Sequence, residues 1–115
     1  MNNVYFGVGP GWKPIVQKAV DQLIAGGAVI DQVKEKYGGL RIYYHFIEGK
    51  AAEYETLDKI VQDAENECAR TCEQCGEPGV LRQGGWIRTL CDKHEEERVK
   101  ERLERKARYN AIFPK

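Results

Sequence analysis

The chain has 115 residues, 42% hydrophobic and 31% charged, with 18 basic residues balancing 18 acidic ones. That composition fits one domain with a modest core, or one small domain with a metal-bound appendage, and its zero net charge excludes a uniformly basic nucleic-acid binder. No run approaches the ~18 apolar residues of a membrane span, and Met1 to Phe6 lacks the basic region and apolar stretch of a signal peptide, so a cytoplasmic protein with no membrane partner is expected.

Gly7, Gly9, Pro10 and Gly11 make the first ten or so residues irregular. Pro14 suits a first helical turn. Ile15, Val16, Ala19, Val20, Leu23 and Ile24 then recur at helical spacing until Gly26-Gly27, which predicts a helix over 13–25. A β-hairpin is expected over 28–46, turning near Gly38-Gly39. Its second strand is the clearer one, with Leu40, Ile42, Tyr44 and Phe46 alternating with Arg41, Tyr43 and His45. The first strand competes with helix propensity in Asp31 to Lys36. After Glu48-Gly49, Tyr54, Leu57, Val61, Ala64 and Cys68 form a stripe that predicts a helix over 50–71, able to cover one face of the hairpin. The chain changes character at 72. Short strands are expected at 80–82 and 86–90 and a highly charged helix at 92–110. The fold class is therefore α+β: an α/β-hairpin core over 1–71, then a finger over 72–115.

The finger carries the clearest chemistry. Cys72 and Cys75 are two residues apart, fifteen residues intervene, and Cys91 and His94 are again two apart. Each pair can present two ligands from one tight turn, and the middle segment can fold back to close a tetrahedron. Three thiolates and one imidazole suit zinc and leave no open position, so one structural Zn(2+) per chain is expected. Gly76 fits a knuckle whose amides turn toward the sulphurs. Cys68 lies four residues upstream and could compete as a ligand, but it also falls on the apolar stripe, where a buried cysteine acts as a small hydrophobe.

No enzyme is expected. The sequence shows no nucleophile–base set and no phosphate-cradling Gly-Lys-Ser/Thr loop. It lacks the His-x-Glu and Pro-Cys-x-x-Cys motifs of zinc deaminases. Residues 80–90 contain no histidine that could activate water.

Two surfaces are candidates for binding. Tyr37, Arg41, Tyr43 and His45 form an aromatic and basic set on or near one hairpin face, suited to a protein partner. From 98 to 115, seven basic residues face two acidic ones. With Arg82 and Arg88, the residues Arg98, Arg102 and Arg105 are therefore candidates for phosphate contacts. Val99, Leu103 and Ala107 make a narrow apolar stripe on the last helix, and Tyr109, Ile112 and Phe113 end the chain. A homodimer through that helix is a further expectation.

The order of knuckle, hairpin and helix over 72 to about 108 resembles the treble-clef zinc finger, a unit that hosts many roles. Asp31 to Tyr44, together with Cys72-x2-Cys75-Gly76 and Gly85-Trp86-Ile87-Arg88-Thr89-Leu90-Cys91-x2-His94, resembles small uncharacterised bacterial and phage proteins that carry this finger. The resemblance implies a bacterial cytosolic setting. The expected function is a small zinc-binding module that binds and modulates another protein, such as a phage product acting on a host enzyme or defence complex. The alternative is a nucleic-acid-binding finger that uses the basic half of its last helix.

Overall fold

A computed structural model describes residues 4–47 and 54–113. In chain order the elements are β1 (Phe6–Gly7), α1 (Lys13–Ala25), β2 (Ala28–Lys36), β3 (Gly39–Phe46), α2 (Tyr54–Cys68), β4 (Val80–Arg82), β5 (Arg88–Leu90) and α3 (Asp92–Ile112). The α+β class and the order helix, hairpin, helix, finger are as expected.

Helix α1 begins with Pro14 in its first turn and stops at Gly26, whose amide bonds back to the last carbonyls. Gly27 follows at φ 95°, a conformation that side chains disfavour. The inward face of α1 carries Val16, Ala19, Val20 and Leu23. Both hairpin strands form, and β2 pairs antiparallel with β3. The ambiguity of β2 has a local cause. Ile30 and Val33 are both buried, a spacing that strict alternation forbids, and a register shift between Ile30 and Gln32 turns both inward.

The turn is a two-residue one, because Lys36 pairs with Gly39. Its central residues Tyr37 and Gly38 have φ 54° and 79°. Positive φ at both positions is what a tight hairpin of right-handed twist requires. Glycine adopts this readily, and tyrosine does so under strain.

Strand β1 corrects the expectation that the first residues are irregular. Phe6 and Gly7 pair in parallel with Val33 and Lys34, giving the sheet order β1-β2-β3. Helices α1 and α2 share one core with this sheet. That core contains Trp12, Val16, Leu23, Ile30, Val33, Leu40, Ile42, Leu57 and Cys68. The opposite sheet face carries Arg41, Tyr43 and His45.

Helix α2 ends at Cys68, three residues before the expected boundary, and its expected start at Lys50 lies outside the described residues. Thr71 accounts for the early stop. Its amide bonds the Cys68 carbonyl at 3.1 Å and its hydroxyl the Glu67 carbonyl at 2.6 Å. The chain then enters a bridge between Thr71 and Pro78. The expected strand at 86–90 shortens to Arg88–Leu90, and α3 runs two residues past its expected end, to Ile112. Among the described residues no helix is long and apolar enough to cross a membrane.

Candidate metal centre

The first ligand pair sits in a knuckle built by its own backbone. The Gly76 amide bonds the Cys72 carbonyl at 2.9 Å, and Gly76 takes φ 84°. The amides of Gln74 and Cys75, and that of Cys91 from the far strand, bond toward the Cys72 sulphur. The second pair opens α3. Cys91 has extended backbone and caps the helix, its sulphur accepting from the His94 amide at 3.5 Å.

The four side chains converge. Their ligand atoms lie within 4.8 Å of one another. Cys75 Sγ is 3.8 Å from Cys91 Sγ, while His94 Nδ1 is 3.6 Å from Cys72 Sγ and 3.2 Å from Cys91 Sγ. Among the described residues these four form the one cluster of metal-ligating type, and it can hold a single ion. The imidazole turns Nδ1 inward and leaves Nε2 3.9 Å from Glu97 one turn along α3.

The acidities fit a cation-binding set. Burial pushes the Cys72 thiol up, but the three amides and the Cys75 thiol outweigh it and bring Cys72 down to about 6. Cys75 shifts the other way. The Glu77 amide pulls it down, but desolvation and the neighbouring Cys72 and Cys91 sulphurs prevail and raise it. Sulphurs this close resist joint ionisation unless a cation sits among them. Cys68 stands apart from the cluster. It is fully buried in the helical core, and desolvation, followed by the charges of Glu67, Glu73 and Glu65, pushes its thiol up to about 12.

Two distant segments brace the centre. The loop before α1 lies on the knuckle. The Gly11 amide bonds the Glu73 carbonyl at 2.7 Å, the Gly9 amide bonds Glu73 Oε2 at 2.9 Å, and Trp12 Nε1 bonds the Thr71 carbonyl at 2.7 Å. A Cβ on Gly11 would lie 2.8 Å from the Cys75 amide nitrogen and nearer still to the Cys72 carbonyl and the Gly76 amide. The hairpin turn docks on the other side, where the buried Thr89 hydroxyl donates to the Gly38 carbonyl at 2.7 Å. Gly9 and Gly11 are thus a close-approach surface for the finger, while Gly7 lies against Val33 and Lys34 of β2. These glycines were visible in the sequence, but the segments of chain they approach were not.

The candidate arginines separate into two groups. Arg82 bonds the Leu90 carbonyl at 3.1 Å and Asp92 at 2.7 Å. Arg88 reaches Glu73 at 3.3 Å. Arg98 bonds Glu95 at 2.9 Å and also reaches the carbonyls of Trp86 and Gln83, tying the β4–β5 loop to α3. These three guanidinium groups brace the finger. Arg102 and Arg105 make no such bond among the described residues and line a cleft of about 660 Å³ between α3, the β4–β5 loop and the hairpin, shared with Arg88, Arg98, Glu35, Glu73 and Glu101.

Of the hairpin set, Arg41, Tyr43 and His45 share the open sheet face. His45 Nδ1 pairs with Asp31 at 2.8 Å and Lys34 lies over the Tyr43 ring at 5.7 Å. Tyr37 lies away from them, at the turn, where it walls a second depression together with Lys36, Gly85, Trp86 and Ile87. Trp86 was not singled out by sequence reasoning. It is 74% exposed and Tyr37 is 70% exposed. The signal for it was a large aromatic directly after Gly84-Gly85, in a loop between two three-residue strands too short to cover it.

Compared with protein-family models, with curated proteins and with solved structures, the chain gives no match.

Proposed function

We propose that this chain is a zinc-stapled interaction module that binds another protein through the tip of its finger. What supports zinc is the size of the ligand tetrahedron. With Zn–S near 2.3 Å and Zn–N about 2.0–2.1 Å, tetrahedral angles require edges of about 3.8 Å between sulphurs and about 3.5 Å between sulphur and nitrogen. Three of the six edges here are close to these values, at 3.8 Å for sulphur to sulphur and 3.6 and 3.2 Å for sulphur to nitrogen, and all six lie within 4.8 Å. Cys72, Cys75, Cys91 and His94 would hold the ion, and its chemistry there would be cross-linking. Four protein ligands close the coordination sphere, so the role is binding and not catalysis. A reducing cytosol keeps such thiols available. The bacterial or phage setting rests on the sequence resemblance alone.

The observation that carries the protein partner is the pairing of Trp86 with Tyr37. Both are largely exposed, both wall one depression, and neither belongs to the core. Tryptophan, tyrosine and arginine dominate protein-binding hot spots. The tip is also tied to the body, through Arg98 on the Trp86 carbonyl and Thr89 on Gly38. The charge around it is mixed, since Arg88, Arg98, Arg102 and Arg105 share their cleft with Glu35, Glu73 and Glu101. A phosphate-binding surface needs a concentrated single sign. Trp86 beside Arg102 and Arg105 does favour one alternative, stacking of single-stranded nucleic acid.

Affinity capture from nuclease-treated bacterial lysate tests the main reading. A stoichiometric protein partner should be retained by the wild-type chain and lost with Trp86→Ala. If no protein is retained, or if Trp86→Ala retains it equally, the reading fails. Submicromolar binding to single-stranded oligonucleotides that weakens steeply with salt would establish the alternative.

A further inference from the structure

We infer that the chain pairs with a second copy of itself through α3, with the two helices antiparallel about a two-fold axis near Glu101. This helix has 21 residues, about 31 Å at 1.5 Å per residue, and none of them is buried. It meets the body chiefly at β5, and the whole chain measures 64 × 26 × 20 Å. In proteins most helical stability comes from packing an apolar face, and the outer face of this helix has nothing of its own chain to pack against.

Its two faces differ. His94, Arg98, Arg102 and Arg105 turn toward the metal cluster and the cleft. Val99 and Leu103 lie on the opposite face, in a shallow groove with Glu95, Glu96, Lys100 and Glu104. Leu103 is 61% exposed. This face is separate from the Trp86 tip, and the inference stands independently of the function proposed for that tip.

Charge identifies what covers it. Along this face Asp92, Glu95 and Glu96 come first, and Lys100, Glu104 and Lys106 come later, so the first half is acidic and the second carries an excess of one positive charge. A parallel second copy would set acid against acid. An antiparallel copy sets acid against base and opposes the helix dipoles. Residues 96, 103 and 110 and residues 92, 99 and 106 line the seam of such a pair, with Val99 and Leu103 as its apolar centre and polar or charged residues on either side. Antiparallel pairing matches one set to the other. An axis near Glu101 brings Val99 onto Leu103 of the second copy, Glu96 onto its Lys106 and Asp92 onto its Asn110, and each contact occurs twice. Lys100, near the axis, keeps Glu96 and Glu104 of its own chain one turn away on either side.

Sedimentation equilibrium of the full, metal-loaded chain from micromolar to near-millimolar concentration tests this. The wild type should form a reversible dimer, and Leu103→Glu should be monomeric throughout. Glu96→Lys alone, or Lys106→Glu alone, should weaken the dimer about tenfold, because each change reverses two symmetry-related ion pairs. The double variant Glu96→Lys/Lys106→Glu should restore it. Helicity and metal content monitor folding, which these positions leave intact because their face touches no core. A wild type that stays monomeric overturns the proposal and assigns the face to another occupant. A dimer indifferent to Leu103→Glu, or a double variant that fails to recover, also overturns it.

Discussion

Replacing Tyr37 by asparagine should stabilise the free protein while weakening its hold on a partner. Tyr37 is held at φ 54° in the hairpin turn, with its ring 70% exposed. A non-glycine residue in this region carries about 1–2 kcal/mol of strain, and asparagine before glycine is favoured in this turn type, relieving about 1 kcal/mol. The loss on the other side is small. Lys36 lies 5.6 Å from the ring centroid, an exposed cation–π contact worth about 0.5 kcal/mol. The balance is a gain of about 0.5 kcal/mol, or roughly 2 °C in Tm for a chain of this size. Urea unfolding of metal-saturated wild type and variant, read by circular dichroism, measures it. Tyr37→Gly should sit near zero, because the greater relief is offset by the conformational freedom glycine loses on folding. The same Tyr37→Asn protein should retain less partner in the capture experiment. A loss of 1 kcal/mol or more in Tyr37→Asn would falsify the reasoning, because the ring would then be packing the fold instead of being presented to a ligand.

Further outcomes follow from the centre and its braces. Metal analysis should give one zinc per chain, lost in Cys91→Ala and in His94→Ala and kept in Cys68→Ala; loss in Cys68→Ala would make Cys68 a ligand. Burial raises the Cys68 thiol from 9.0 to about 12, so at neutral pH its thiolate fraction is about a thousandfold below that of an ordinary thiol. After chelation under native conditions, iodoacetamide with mass spectrometry should therefore find Cys72, Cys75 and Cys91 modified before Cys68, and rapid labelling of Cys68 would contradict its placement. Gly11→Ala should cost about 3 kcal/mol or more, because the added carbon meets unyielding backbone, and thermal melts should show the loss. Arg98→Ala should cost about 1–2 kcal/mol, loosen the Trp86 tip and lower partner capture; unaltered capture would show that this tie plays no part in binding.

The regular elements and the ligand set were legible because their signals are local. Period-two alternation in Leu40 to Phe46, helical spacing in Ile15 to Ile24, and two close ligand pairs each depend on neighbours in the chain. The bulge that confused β2 is also local, but its purpose shows only when Ile30 and Val33 are seen to share one core. The candidate binding residues were legible by type alone. Arginine at 82, 88 and 98 reads as a phosphate contact until Asp92, Glu73 and Glu95 are found beside it.

The sequence by itself determined that Cys72, Cys75, Cys91 and His94 belong together, because a tight turn fixes how two ligands two residues apart can point. Only the tertiary structure decided what stands around them. Strand β1 has two residues and no period to read, and it exists because Val33 and Lys34 offer it an edge. Gly11 matters because the Cys72–Gly76 knuckle lies against it, and Trp86 matters because Tyr37 arrives from a distant hairpin to wall the same depression. Side-chain spacing constrains a few residues at a time, whereas these contacts join segments whose approach is set by the packing of the whole core.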